Sequence, residues 1–160
     1  FIFALMLLLS ACAAGAAGQA KAVEKGCSPA EVQARTADAL PVSRLCIDSG
    51  GAPIRLTVER AETPAEQARG LMFRRELGAD QGMIFPFKTV RLASFWMKNT
   101  PLPLDIIFIR ADGTIANIAA NTTPYSLDPV PSDGPVAAVL EIAGGRAAAL
   151  GLAPGDKVRW

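Results

Sequence analysis

From Ile54 onward the chain is cut into short apolar runs that alternate with period two, and this feature confines the fold to a β-rich architecture. Ile54, Leu56 and Val58 alternate with Arg55, Thr57 and Glu59, the pattern of a half-buried strand. Gly82–Phe87, Leu92–Lys98, Leu104–Arg110, Thr114–Ala120 and Val136–Ile142 read as further strands, and Gly155-Asp156 turns the chain into a last one reaching Trp160. Ala111-Asp112-Gly113 is a hairpin signal. Helix signals are few. Thr63-Pro64-Ala65-Glu66 is a capping box with Pro in the first turn, predicting a helix to about Met72 with an apolar stripe of Ala65, Ala68, Leu71 and Met72. Gly144-Gly145 precedes a short Ala-rich helix, Arg146 to Leu150. The expectation is a mainly β (α+β), small barrel-like domain of about seven short strands and two short helices. No internal repeat is present. Asn121 to Pro135, with prolines at 124, 129, 131 and 135, has the length of a lid, a binding loop or a disordered segment.

The amino end carries an address. Phe1 to Leu9 is apolar and uncharged, and small residues follow from Ala11 to Gly18, whereas a membrane span needs about 20 predominantly apolar residues. The run fits the h-region of a secretory signal, with a basic n-region expected ahead of Phe1. Leu9-Ser10-Ala11-Cys12 reads as a lipobox, with Cys12 as the acylated residue and an ordinary signal peptide as the alternative. Residues 1–11 are thus expected to be a signal peptide, 12–44 a lipid-anchored tether and linker, and 45–160 a single domain. The destination is the bacterial cell envelope, facing the periplasm, at the outer membrane if the source has one. Export permits a Cys27–Cys46 disulfide, worth about 3 kcal/mol in the chain-entropy picture, with two unpaired thiols as the alternative. Ser28-Pro29-Ala30-Glu31 looks like the start of a short, weakly amphipathic helix over 29–39.

Ala68-Arg69-Gly70-Leu71-Met72-Phe73-Arg74, Gly82-Met83-Ile84-Phe85, Phe95-Trp96-Met97-Lys98-Asn99-Thr100, Pro103-Leu104-Asp105-Ile106-Ile107-Phe108-Ile109 and Val139-Leu140-Glu141-Ile142 follow one another, with Gly155-Asp156 near the end. Together these blocks resemble the domain of unknown function 192 family, also called uncharacterised protein family 0127, over about residues 54 to 160. The resemblance implies a small, mostly β barrel-like fold that often follows a signal peptide or lipobox. It implies no established activity.

Composition excludes much chemistry. The chain has no histidine, so Ser-His-Asp and Cys-His nucleophile systems, HExxH zinc sites and two-His facial triads cannot be built within it. Sixteen basic against fifteen acidic residues give no bulk attraction for nucleic acid. No cofactor and no metal is expected, and the membrane is met only through the lipid.

The residues left to carry function are Arg69, Arg74, Trp96, Lys98, Asn99, Asp105 and Glu141. If Phe95 and Met97 face the core, alternation puts Ser94, Trp96 and Lys98 together, an aromatic platform with a cation at its edge. The alternative is that Trp96 is second-layer core and Lys98 snorkels to water. Asn99-Thr100-Pro101-Leu102-Pro103 is a rigid turn. Asp105 then enters an otherwise apolar strand and needs a partner, for which Lys98, Arg69 and Arg74 are suitable. Arg69, Arg74 and Arg75 suit carboxylate or phosphate; the alternative is a solvated face, or structural salt bridges to Glu66 or Glu76. Glu141 shares a potentially covered face with Val139, and Phe73, Met83, Phe85, Phe87 and Met97 are expected in the core.

Arg74, Trp96, Lys98 and Asp105 are expected to line one pocket for an anionic or polyhydroxylated ligand. The favoured function is a non-enzymatic module binding a small polar or anionic ligand, an envelope glycan or a protein segment. The alternatives are a carboxylate-dependent hydrolase or lyase built on Asp105 and Glu141, and a purely structural or assembly role.

Overall fold

The computed structural model describes Cys27 and residues 29–35 and 40–160. The expected signal peptide, the expected lipobox at Cys12 and the expected Ser28 cap lie outside the described residues. Among the described residues ten strands and two helices follow in order: β1 (Ala30–Arg35), β2 (Pro41–Asp48), β3 (Ile54–Arg60), α1 (Pro64–Arg69), β4 (Gln81–Arg91), β5 (Ser94–Phe95), β6 (Leu104–Ile109), β7 (Ile115–Ala119), β8 (Val130–Pro131), β9 (Val136–Ala143), α2 (Arg146–Ala149) and β10 (Lys157–Arg159). The main sheet runs β1-β2-β3-β4-β9-β6-β7, with β10 on β2. Every pairing is antiparallel except β3 with β4, which are parallel and joined through α1.

The sheet nearly closes on itself. β10 takes the Cys46–Asp48 half of β2, while β1 takes the earlier half of the same edge. On its other side β10 meets the hairpin before β7, through a Thr114–Lys157 bridge and a 2.8 Å bond from the Val158 N–H to the Gly113 carbonyl. The result is a barrel-like, mostly β domain, as the alternating runs predict.

Alternation divides the apolar residues between two cores. Leu45, Ile47, Leu56, Val58, Ile84, Ile107, Ile109, Ile115, Leu140, Ile142 and Val158 converge from seven strands to fill the barrel, and Ala147 of α2 joins them. The opposite faces of β4, β9 and β6 carry Met83, Phe85, Val139, Leu104, Ile106 and Phe108, covered by Leu71, Ala93 and Met97 from outside the barrel. Each cluster removes enough apolar surface from water to anchor the strands between them.

Four expectations are corrected. Within the segment expected to be helix over 29–39, Ala30–Arg35 is strand β1, because the free edge of β2 offers backbone partners that outweigh a weak capping signal. That strand lies within the 12–44 span expected to be tether. Helix α1 stops at Arg69, not Met72, since Gly70 takes φ +48, and no residue of α1 is buried. The Leu92–Lys98 strand shrinks to Ser94–Phe95, paired with β8, so the 121–135 loop is partly tied down by a short ladder. Phe73, expected in the core, is 68% exposed with φ +65. Met83, Phe85 and Met97 are buried, and Phe87 is half-buried. Cys27 and Cys46 are bonded, with Cα atoms 5.6 Å apart.

Candidate functional site

A cleft of about 370 Å³ opens on the outer face of the sheet. Its floor is Phe85 of β4 and Glu141 of β9. One wall is α1 and the loop after it, Gln67 to Met72; the other is Ser94, Phe95, Trp96, Lys98 and Thr100. Phe87 and Arg91 complete the lining.

Local sequence explains how the walls are held. Thr63 and Glu66 form a reciprocal capping box: the Glu66 N–H donates to the Thr63 hydroxyl at 3.2 Å, and the Thr63 N–H donates to the Glu66 carboxylate at 2.8 Å. Backbone N–H groups of Thr63 and Glu62 hold the Glu66 carboxyl below its ordinary range. Gln67 Nε2 donates to the carbonyls of Ala61 (3.0 Å) and Pro86 (2.9 Å), tying α1 to β4. Gly70 is needed where it stands, because a Cβ there would lie 3.3 Å from the Phe85 ring on a backbone with positive φ. Across the cleft, Phe95 packs edge-on against Phe85 (5.2 Å) and Phe108 (6.2 Å), which turns Trp96 outward.

Trp96 is 50% exposed, and Lys98 Nζ stands 5.1 Å from the centre of its ring. Arg91 lies 4.0 Å over the Phe87 ring. These are cation–π contacts at an open surface, and they leave the cations facing water and the cleft. Glu141 is only 5% exposed, and desolvation pushes its carboxyl up to about 8, so it is neutral at neutral pH. The cleft therefore combines a flat apolar platform, cations at its rim and an uncharged acid at its base.

Of the residues singled out in the sequence, Arg69, Trp96, Lys98 and Glu141 line this cleft. Arg74 does not: its guanidinium bonds Glu59 of β3 at 2.7 Å. Asn99 occupies a left-handed turn (φ +55), its carbonyl accepting from the Phe73 N–H at 2.8 Å, and lines a neighbouring groove with Phe73, Arg75 and Tyr125. Asp105 faces away from the cleft, toward α2. The expected cation partner is replaced by backbone: Oδ1 accepts from the N–H groups of Asn121 (2.8 Å) and Gly145 (3.0 Å), and Oδ2 from Ala147 (2.7 Å). A single pocket uniting Arg74, Trp96, Lys98 and Asp105 is thus corrected to a cleft uniting Arg69, Arg91, Trp96, Lys98 and Glu141. The residues missed are Arg91, Gln67 and Phe87. Nothing in the sequence marks Arg91, which reaches the rim because β4 runs to 11 residues with a register shift after Pro86. Among the described residues no cluster of histidine, cysteine or carboxylate side chains is arranged to hold a metal ion.

A nearly closed β barrel whose parallel β3–β4 step is bridged by a short helix, with a cleft between that helix and the outer sheet face, defines the structural class. The chain belongs to the DUF192 family, described as Uncharacterized ACR, whose profile matches residues 45–160. A Novosphingobium aromaticivorans protein of unknown function is 45% identical with a TM-score of 0.76, over 89% of this chain and all of its own. A Sinorhizobium meliloti protein proposed as a transcription regulator is 42% identical with a TM-score of 0.73, over 75% of this chain and 94% of its own. No curated protein matches the sequence.

Proposed function

We propose that this chain is a non-enzymatic binding module of the bacterial envelope, anchored through a lipid on Cys12, whose outer cleft takes a small polar or anionic ligand. The observation that carries this reading is Lys98 set 5.1 Å over the half-exposed Trp96 ring at a cleft with further arginines at its edge. A flat ligand stacks on the indole while its acidic group meets Lys98 and Arg91. Among the described residues the only carboxyl lining the cleft is Glu141, and burial keeps it neutral, so it does not oppose the ligand's charge. The cleft volume suits one small molecule more than a polymer chain. The Cys27–Cys46 bond is in keeping with an oxidising compartment.

The hydrolase reading lacks its geometric premise, since Asp105 and Glu141 face opposite sides of the sheet. A formal charge of +1 lends no support to carrying over the transcriptional assignment of the Sinorhizobium protein.

Titration with benzoate, glucuronate and N-acetylglucosamine, followed by tryptophan emission, tests the cleft. Saturable quenching by an anionic probe, abolished in Trp96→Ala and weakened in Lys98→Ala, is expected. No response to any probe, or a response unchanged in Trp96→Ala, defeats the reading. Detergent partitioning and intact mass of the native protein test the anchor. A water-soluble product of unmodified mass defeats it.

A further inference from the structure

Three buried carboxyl groups occur among the described residues: Glu59 is paired with Arg74, Asp105 accepts three backbone N–H groups, and Glu141 receives neither hydrogen bond nor ion pair. Glu141 is flanked in register by Met83 of β4 and Ile106 of β6, both fully buried, and it opens onto the cleft. An apolar residue at this position would pack without the desolvation cost that an unpartnered carboxyl carries. Local rules broken at a cleft floor point to a ligand as the missing partner.

The charges facing the cleft define what that partner is. Arg69 comes from α1, Arg91 from β4 and Lys98 from the segment after β5, while β6 and β9 add no second charged side chain on this face. Burial keeps Glu141 protonated at neutral pH, so it offers one O–H donor and one carbonyl acceptor and is no counterion for an amine. Resting on the binding reading above, we propose that Glu141 is the specificity-determining contact of the cleft, donating its carboxyl O–H to an oxygen at the buried end of a ring-bearing monoanion. The ring of that ligand lies on Trp96, and its charged end meets Lys98 and Arg91.

Three para-substituted benzoates that differ only at the buried end test this assignment: 4-acetylbenzoate presents an acceptor, 4-isopropylbenzoate the same shape without one, and 4-(aminomethyl)benzoate a cation. Calorimetric affinities at pH 6.5 are expected to favour the acetyl compound over the isopropyl compound by about tenfold, the worth of one hydrogen bond in a dry site. Glu141→Leu is expected to erase that preference and Glu141→Gln, which keeps a neutral donor, to retain it. Raising the pH to 9.5 is expected to weaken 4-acetylbenzoate binding about tenfold in the natural protein and not in Glu141→Gln. Should Glu141→Leu fail to fold, the pH series on Glu141→Gln carries the test alone.

Preference for the aminomethyl compound, an acetyl preference that survives Glu141→Leu, or no binding by any of the three overturns the proposal. Lys98→Ala and Trp96→Ala separate the two readings. If 4-isopropylbenzoate binding depends on Trp96 and Lys98 while the acetyl group adds nothing, the cleft stands and the role of Glu141 falls. If binding ignores both substitutions, the cleft itself falls.

Discussion

Asp105 and Glu141 are neighbours in the sheet with opposite fates. β6 and β9 pair so that Ile106 lies across from Glu141 and Asp105 across from Ile142. One step in register turns the two side chains to opposite faces. Asp105 is fully buried and gathers three N–H groups, from Asn121 and from Gly145 and Ala147 at α2. Gly144 lets these backbones approach, since a Cβ there would sit 2.9 Å from both the Asn121 side chain and Pro103. Glu141 is buried almost as deeply, at 5% exposure, and gathers no hydrogen bond. Burial alone therefore does not distinguish a structural carboxyl from one proposed to meet a ligand. What distinguishes them is whether the fold supplies the partner.

That contrast breaks if the two residues respond alike to removal. Asp105→Ala leaves three buried N–H groups without their acceptor and is expected to cost roughly 3–5 kcal/mol, read as a lowered urea midpoint. A cost below about 1 kcal/mol would mean that water or backbone adjustment satisfies those groups just as well.

For Glu141 the sign is reversed. Its folded-state carboxyl is raised from 4.5 to about 8, so between those values the unfolded chain is ionised while the folded chain keeps its proton. Folding then takes up a proton, and stability falls as pH rises through this window. Against Glu141→Gln, the natural protein is expected to lose up to roughly 1.4 kcal/mol per pH unit between pH 4.5 and 8, with no further change above. Parallel stability curves for the two proteins would remove the basis for a neutral Glu141.

The same distinction is expected on a smaller scale among the cations. Arg74, held against the buried Glu59, should cost about 1–2 kcal/mol on replacement by Ala. Lys98, exposed at the cleft rim, should change stability by less than about 0.5 kcal/mol. Equal urea midpoints for the two variants would erase the division between structural and cleft-facing charge.

β3, β4, β6, β7, β9 and β10 were legible because period-two alternation survives wherever the two faces differ, and α1 because its capping box is local; the two-residue ladder of β5 with β8 is too short to leave such a pattern. β1 was misread for a physical reason: whether 30–35 becomes helix or strand is decided by the free edge of β2, which lies outside any local window. Trp96 and Lys98 were legible as a pair because Phe95 and Met97 mark the inward face around them. Asp105 was legible as buried and in need of a partner, but not as bound to backbone amides 16, 40 and 42 residues further on. Glu141 was placed with Val139 by alternation, yet its meeting with Trp96 depends on how the outer layer folds back over β4 and β9.

Closure of the barrel also sets a schedule for folding. β10 pairs with Cys46–Asp48 of β2, segments more than a hundred residues apart, so the entropy of closing that long loop is met before the pairing returns anything. A chain emerging from its amino end makes β2 early and completes that edge only when residues 157–159 arrive. Such a seam places folding on the slow, millisecond-to-second side. Until then half of β2 is an open edge, whose unpaired backbone groups are a template for any extended segment that reaches them first.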